Sequence, residues 1–105
     1  MSRHDVLVVG AGAAGLVTAG GLSQLGLDVV LFEAAEMGGE CLNTGCVPSK
    51  AILAAGHAAQ VARGSAGLGV SADPKIDWAA VNAHIARVIE VIAPNDSVER
   101  FEGFG

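Results

Sequence analysis

Both cysteines of the chain, Cys41 and Cys46, lie in one short stretch, residues 38–50. They are five positions apart, so on one regular helix they would point to different faces, and they can meet only across a turn. Gly45 permits a tight turn between them, and Pro48 suits the first turn of a helix, where its missing N–H costs nothing. We therefore predict Cys41 in a loop and Cys46 at a helix start, where the helix dipole favours a thiolate.

Four interpretations of this cysteine pair are open: a redox pair, a structural disulfide, part of a metal site, or two unrelated buried thiols. A disulfide across so short a loop would stabilise the fold by only about 2 kcal/mol. A zinc site usually needs four nitrogen or sulfur ligands, and beyond the cysteines the chain offers only the scattered His4, His57 and His84. These observations favour a redox pair, and we predict no metal site.

The amino-terminal third of the chain has the pattern of strand, glycine turn, helix and strand. Residues 5–9 are a short β-branched apolar run, and glycines recur through residues 10–15. An alanine- and leucine-rich segment then extends to Leu25 and is closed by Gly26 as a helix C-cap, before a second strand at residues 28–33. This order predicts an α/β fold built on a Rossmann-like βαβ unit with a parallel sheet, whose first strand is buried on both faces.

The glycines of the turn have separate roles in such a unit. Gly10 permits the sharp exit from the strand, Gly12 lets a diphosphate approach the backbone, and Gly15 lets the helix pack against the sheet. Backbone N–H groups around Gly12, Ala13 and Ala14 would then face the phosphates at the start of the helix. The turn is therefore a candidate cofactor-binding loop.

Glu33 ends the second strand, eighteen positions after Gly15. A carboxylate at this place accepts hydrogen bonds from ribose hydroxyls and would repel a 2′-phosphate. Glycine-rich turns are common by chance, but the flanking strands and this acid support a dinucleotide site. The pattern alone does not distinguish FAD from a nicotinamide cofactor.

A long helical pair is predicted after the cysteines. The first helix covers residues 46–63 and leads into a glycine- and serine-rich loop at residues 64–75. Asp77 can cap the second helix, whose apolar stripe suits packing against the preceding helix or a partner subunit. The stripe consists of Trp78, Val81, Ile85, Val88 and Ile92. Pro94 ends or kinks this helix, and residues 95–97 can restart it.

Composition narrows the function classes. The 105 residues are 51% hydrophobic and include 15 glycines, which suits helices layered on a sheet. The net charge is −5 with no basic cluster, so we expect no nucleic-acid partner. Residues 6–27 are uncharged and follow Arg3, as in a signal peptide or membrane span, but glycines and polar side chains dilute the run, so no membrane association is expected. Two cysteines without dense disulfides favour a reducing cytoplasm.

Residues 38–50 closely resemble the redox-active motif of the flavin-containing pyridine nucleotide-disulfide oxidoreductases. The matching residues are Gly38, Gly39, Cys41, Asn43, Gly45, Cys46, Pro48 and Lys50. Glu40 departs from the family pattern, which usually has threonine there. A carboxylate beside a bound diphosphate would be repelled, so a role for this side chain in holding the cofactor is not expected.

The resemblance implies that the amino-terminal unit binds FAD and that Cys41 and Cys46 are catalytic. Cys46 would be the thiolate next to the flavin, and Cys41 the sulfur that exchanges with substrate. Lys50, four positions after Cys46, would place a positive charge near the flavin. Gly39, Cys41 and Lys50 thereby join the turn residues and Glu33 as cofactor-binding candidates.

The implied activity is transfer of a hydride between NAD(P)H and a substrate through flavin and the Cys41–Cys46 disulfide. Ser49 and residues 94–103 are similar to the mercuric-reductase-like branch, and dihydrolipoamide dehydrogenase is the alternative. A non-catalytic flavin-binding or redox-sensing module, or an interaction fragment, is the alternative of another class. The substrate would be a small molecule or a metal ion.

The resemblance also implies that residues 1–105 are the amino-terminal part of an FAD-binding domain. The rest of the FAD site, the nicotinamide domain and a homodimer interface would lie in parts of the enzyme beyond these residues. The family's acid/base histidine comes from the partner's carboxy-terminal domain, and none of the three histidines here matches it. We therefore expect this fragment to be inactive by itself.

Overall fold

The structure, a computed structural model, describes residues 3–105. Its strands and α-helices, in chain order, are β1 (Val6–Val9), α1 (Ala13–Gln24), β2 (Val29–Phe32), α2 (Gly39–Asn43), α3 (Cys46–Arg63), α4 (Trp78–Ile92) and α5 (Val98–Glu102). Two short 3₁₀ helices follow α3 (Gly64–Leu68) and α4 (Ala93–Asp96).

β1 and β2 form a two-stranded parallel sheet, with Val6 opposite Val29 and Val9 opposite Phe32. α1 connects the two strands and contacts both of them. The predicted α/β class and parallel βαβ unit are therefore confirmed. With two strands, the described chain contains an incomplete Rossmann-like unit.

β1 is not buried on both faces, contrary to the expectation from its apolar sequence. Leu7 is 62% exposed and Val9 is 85% exposed, whereas Val6 and Val8 are half-buried. The cause is that α1 covers only the face on which Val8 lies. The strand also begins at Val6 rather than at residue 5, because the N–H groups of Asp5 and Val6 both donate to one carbonyl, that of Asp28.

The predicted cap at the end of α1 is confirmed. Gly26 has φ +89°, in the left-handed region that glycine adopts without strain. Its N–H donates to the Ser23 carbonyl at 3.0 Å, and the N–H of Leu27 donates to the Leu22 carbonyl at 3.2 Å. These two bonds are a Schellman motif, and they turn the chain from the helix into β2.

α3 and α4 form the predicted helical pair. Asp77 caps α4, since its Oδ1 accepts the N–H of Ala80 at 3.2 Å. α4 contacts α3 and also α2, so it lies along the first helix and passes close to the cysteine segment. The stripe residues from Val81 onward are half-buried in this packing, whereas Trp78 at the helix start is 56% exposed.

The chain after α4 behaves as its sequence predicts. α4 ends at Ile92, and Pro94 lies inside the 3₁₀ helix that follows. Ser97 then caps α5, because its hydroxyl accepts the N–H of Arg100 at 3.2 Å. α5 returns to α1, where a Cβ added to Gly20 would lie 3.3 Å from the ring of Phe101.

The described chain is elongated rather than spherical. Its extents are 70 × 25 × 18 Å and its radius of gyration is 19.7 Å, against about 13 Å for a compact domain of this length. The buried hydrophobic side chains are few and small: Ala11, Leu16, Ala19, Leu42, Ala51 and Ala59. The fold therefore lacks one large core.

The uncharged run at residues 6–27 is divided between a strand, a turn, a helix and its cap. No helix among residues 3–105 is long and apolar enough to cross a membrane.

Candidate redox and nucleotide site

The glycine turn between β1 and α1 is built by close backbone contact. Gly10 has φ +102°. A Cβ on Gly15 would lie 1.7 Å from the carbonyl oxygen of Gly10, so only glycine fits at the first turn of the helix. A Cβ on Gly12, in contrast, would meet nothing within 4 Å, so the surface above this residue is open.

The amino-terminal end of α1 has free hydrogen-bond donors. Gly12 is the N-cap and supplies no side-chain cap, and the first turn carries no acidic residue. The first intrahelical bond runs from the N–H of Leu16 to the carbonyl of Gly12 at 2.9 Å. The N–H groups of Ala13 and Ala14 therefore have no intrahelical acceptor, and both residues are exposed. Donors and helix dipole together make this end suitable for an anion.

Glu33 lies next to the glycine turn in space. Its Oε2 accepts the backbone N–H of Ala11 at 3.4 Å, and the residue is half-buried. It also borders a cleft of about 470 Å³ between β2 and α5, lined by Val30 and Phe101 among others. The cleft has the size of a small-molecule site.

The cysteine segment is joined directly to the glycine turn. The N–H of Gly38 donates to the carbonyl of Ala11 at 2.9 Å. A Cβ on Gly39 would lie 2.8 Å from the Cα of Gly12, so the two backbones touch. Gly38 and Gly39 both have positive φ, at +90° and +58°. This contact brings the two motifs, separate in sequence, into one site.

Ala11 is the residue that the sequence analysis missed. It is 0% exposed, its N–H donates to Glu33 and its carbonyl accepts from Gly38. It therefore ties together the second strand, the turn and the cysteine segment. Its position between two glycines of the turn is the one signal in the sequence that could have indicated such a role.

Cys41 lies in helix α2 and not in a loop, so that prediction is wrong. The helix forms because Gly38 and Gly39 reverse the chain at its start, and the side chain of Asn43 then stabilises it. The Asn43 amide donates to the Gly39 carbonyl at 2.8 Å and to the Met37 carbonyl at 3.3 Å. Cys41 is half-buried in this short helix.

Cys46 is the first residue of α3, as predicted, and it is exposed. Gly45 makes the tight connection: a Cβ there would lie 2.9 Å from the carbonyl oxygen of Glu40. Pro48 lies in the first turn of α3, where no N–H is required. The hydroxyl of Ser49 donates to the Cys46 carbonyl at 3.1 Å.

The two free thiols affect each other. The pKa of the Cys41 thiol is raised above its usual value, chiefly because the side chain of Cys46 hydrogen-bonds the protonated form. Desolvation, repulsion between two thiolates and the carboxylate of Asp96 act in the same direction. At a given pH, the Cys41 thiol is therefore protonated to a greater extent than an ordinary cysteine.

Lys50 is exposed on the same face of α3 as Cys46, one turn further along. Within residues 3–105 the only close contact between a basic side chain and a carboxylate joins His4 to Asp28 at 2.9 Å, so Lys50 has no carboxylate partner there. The positive charge is available to an anion near the start of α3.

The other histidines lie away from the cysteine pair. His57 is exposed on α3, and His84 borders a groove between α3 and α4 rather than facing solvent freely. Among the side chains of the described residues, no cluster of three His, Cys, Asp or Glu could hold a metal ion.

Residues 4–102 match the protein family described as pyridine nucleotide-disulphide oxidoreductase. The chain is 40% identical to dihydrolipoyl dehydrogenase 2 of Haloarcula marismortui, over 94% of this chain and 22% of that protein. It is 52% identical to dihydrolipoyl dehydrogenase of Halobacterium salinarum, over 71% of this chain and 16% of the relative. It is 43% identical to the dihydrolipoyl dehydrogenase of Bacillus subtilis, over 81% of this chain and 18% of that protein. The chain thus spans about a fifth of the length of these relatives.

Proposed function

Because the chain belongs to the pyridine nucleotide-disulphide oxidoreductase family, we propose that it forms the FAD-binding and redox-disulfide part of a dihydrolipoyl dehydrogenase. The observation that carries the proposal is the junction of the two motifs, where Gly38 bonds to Ala11 and Gly39 touches Gly12. This junction holds the cysteine pair beside the anion-binding end of α1. A redox pair fixed to a dinucleotide site is the arrangement that flavin-disulfide chemistry requires.

The residues present fit FAD, the flavin cofactor of this family. The free N–H groups of Ala13 and Ala14 would hold its diphosphate, and the open surface above Gly12 leaves room for close approach. Glu33, beside the cleft, would accept hydrogen bonds from ribose hydroxyls. Gly10, Gly15 and Gly39 shape the backbone that makes this possible. When bound, FAD passes an electron pair between the cysteines and NAD(H).

The cysteine pair would exchange electrons with a dithiol substrate. One substrate thiolate attacks the Cys41 sulfur of the oxidised pair, a mixed disulfide forms, and Cys46 leaves as a thiolate. The second substrate thiolate attacks the substrate sulfur of the mixed disulfide, the substrate disulfide forms, and Cys41 leaves and takes up a proton. Two electrons thus pass from substrate to the pair. The raised pKa of Cys41 suits this final protonation.

Lys50 would support the same reaction electrostatically. Its ammonium lies on the Cys46 face of α3, and a positive charge near this thiol favours the anion that the exchange releases. Cys41, Cys46 and Lys50 are thus the proposed catalytic residues. Gly39, Cys41 and Lys50 are also proposed to contact the cofactor.

The choice between mercuric ion and a dihydrolipoyl substrate depends on the names of the related proteins. Ser49 and residues 94–103 favour a mercuric-reductase-like enzyme from sequence alone. The relatives described above are named dihydrolipoyl dehydrogenases, and they match 71–94% of this chain. This supports the alternative expectation, a dihydrolipoyl substrate with NAD⁺ as acceptor, over mercuric ion.

An assay of the full-length protein that contains these residues tests the proposal. We expect NADH formation from NAD⁺ and dihydrolipoamide, and none in a Cys41→Ser variant, since that variant cannot form the mixed disulfide. NADPH oxidation with mercuric ion is measured in parallel. Turnover with mercuric ion alone would restore the mercuric-reductase expectation, and turnover in neither assay would contradict both substrates.

A further inference from the structure

Glu40 has a fixed backbone and a free side chain at the junction of the two motifs. Its carbonyl accepts the N–H groups of Thr44, at 2.9 Å, and of Gly45, so the peptide is part of the turn that joins α2 to α3. The residue is exposed, and its carboxylate forms no ion pair with any residue from 3 to 105. The side chain is therefore not needed to build the turn.

The backbone of Glu40 lies near the start of α1. A Cβ on Gly39 would lie 2.8 Å from the Cα of Gly12, the N-cap of α1. Since consecutive Cα atoms are about 3.8 Å apart, the Cα of Glu40 lies within about 8 Å of the Cα of Gly12. The Glu40 side chain therefore starts from a backbone position no further from Gly12 than about one Debye length at physiological ionic strength, a range within which salt weakens charge interactions without abolishing them.

The carboxylate opposes the charge preference of that helix end. The first turn of α1 carries no acidic side chain, and its free N–H groups attract an anion. Glu40 adds one negative charge beside them, without a cation to neutralise it among the described residues. A bound diphosphate would therefore meet repulsion from this side chain.

We propose that Glu40 sets the affinity of the site for FAD, weakening binding of the diphosphate by electrostatic repulsion and making it dependent on salt. The inference rests on the proposed function, because the diphosphate belongs to the proposed cofactor. Glu40 acts on affinity and takes no part in the reaction. Its neutralisation should leave the fold unchanged, since its backbone makes the structural contacts.

The test measures FAD affinity of the full-length protein after its cofactor has been removed. FAD is titrated by flavin fluorescence into the wild type, Glu40→Gln and Asp73→Asn, at low and at high salt. Asp73 is the matched control: it is exposed and lies in the connection between α3 and α4, ten residues after the end of α3. α3 itself is about 27 Å long and has Cys46 at its opposite end. Asp73→Asn also removes one negative charge, but from another part of the chain than Glu40.

We expect Glu40→Gln to bind FAD on the order of ten-fold more tightly at low salt, and the ratio to approach one at high salt. Asp73→Asn should bind FAD with the same affinity as the wild type at both salt concentrations. Circular dichroism checks the fold, and Glu40→Thr serves as a second uncharged variant. Equal or weaker affinity in both Glu40 variants, or a gain that persists at high salt, would overturn the inference. Failure of the wild type itself to bind FAD would instead overturn the proposed function, and this inference with it.

Discussion

At the scale of single residues, the two thiols are unequal because Cys41 lies in the middle of α2 whereas Cys46 is the first residue of α3. Cys41 is half-buried inside the short α2, near Asp96, and its pKa is raised by Cys46. Cys46 is exposed as the first residue of α3, with the positive end of that helix behind it. From the family resemblance we propose that Cys41 exchanges with substrate and that Cys46 is the thiolate beside the flavin.

The assignment predicts different spectra for two serine variants of the full-length protein. Cys46→Ser should abolish the long-wavelength band that a thiolate beside flavin produces on reduction, because that thiolate is removed. Cys41→Ser should keep the band, since Cys46 remains, but lose turnover. Absorbance spectra of the two reduced variants show whether the long-wavelength band is present. The opposite pattern would mean that the two roles are exchanged.

The raised pKa of Cys41 predicts slow alkylation of this thiol. A raised pKa means a smaller thiolate fraction at a given pH, and only the thiolate reacts. In the reduced protein, Cys41 should therefore react with iodoacetamide more slowly near pH 8 than free cysteine does. Cys46→Ala removes the main cause of the shift, so its Cys41 should react faster at the same pH.

Peptide mass spectrometry distinguishes alkylation at the two cysteines. Rate profiles of Cys41 against pH that coincide with and without Cys46 would show that the thiols do not interact.

Glu33 is predicted to contribute to FAD retention. Loss of hydrogen bonds to a charged acceptor costs about 1.5–3 kcal/mol, so Glu33→Ala should weaken FAD binding by about ten- to a hundred-fold. Glu90→Ala, an exposed acid on α4, is the control and should bind normally. The dissociation constants come from titration of the cofactor-free protein. Equal dissociation constants for wild type and Glu33→Ala would show that Glu33 does not contribute to FAD binding.

At the scale of elements, the site depends on how closely three segments approach one another. The turn before α1 folds against the first helical turn at Gly15, and the start of α2 packs against the same turn at Gly39. Neither approach leaves room for a side chain. The relative positions of the cysteine pair and the amino-terminal end of α1 are therefore set by backbone contact.

A pair of alanine substitutions on α1 tests this packing. The added Cβ in Gly15→Ala overlaps the Gly10 carbonyl oxygen at 1.7 Å, so the helix start must move, at a cost of about 3 kcal/mol. Gly21→Ala is on the same helix, is exposed, and meets nothing within 4 Å. It should stabilise the protein by about 0.5–1 kcal/mol, because alanine favours the helix. Urea unfolding of the full-length protein measures both, and equal stability of the two variants would contradict the packing.

At the scale of the whole molecule, the described chain exposes apolar surface and has little core. One face of the sheet presents Leu7, Val9 and Phe32 to solvent, and strands of a parallel sheet are normally covered on both faces. The chain is also elongated, with a small set of mostly alanine side chains buried. The energy of burial available to it is correspondingly small.

Residues 1–105 produced as a separate protein should not catalyse repeated rounds of NADH oxidation. We expect their one dinucleotide unit to hold FAD or a nicotinamide but not both together, so NADH oxidation by these residues with FAD and lipoamide should not exceed that of free FAD. Its exposed sheet face should also cause self-association, which sedimentation velocity would detect. Sustained turnover well above free flavin would show that these residues form a complete small enzyme.

Much of the local structure follows from the sequence. The caps at Gly26, Asp77 and Ser97, the end of α4 before Pro94 and the parallel βαβ unit are all confirmed. Each depends on residues a few positions apart, whose hydrogen bonds and backbone preferences are nearly the same in any fold. For the same reason the sequence determined that Cys46 begins a helix.

Only the tertiary structure decided how these pieces form one site. Cys41 was expected in a loop but lies in α2, because the chain reversal at Gly38 and Gly39 is held by contacts with the distant glycine turn. The exposure of one face of β1 was likewise decided by which elements pack on the strand. The sequence of an apolar strand does not tell whether one face or both are covered. Contacts between residues far apart in the chain leave no periodic signal in either segment. The glycines on both sides of Ala11 mark a tight turn, but its bonds to Glu33 and Gly38 are seen only in the folded molecule.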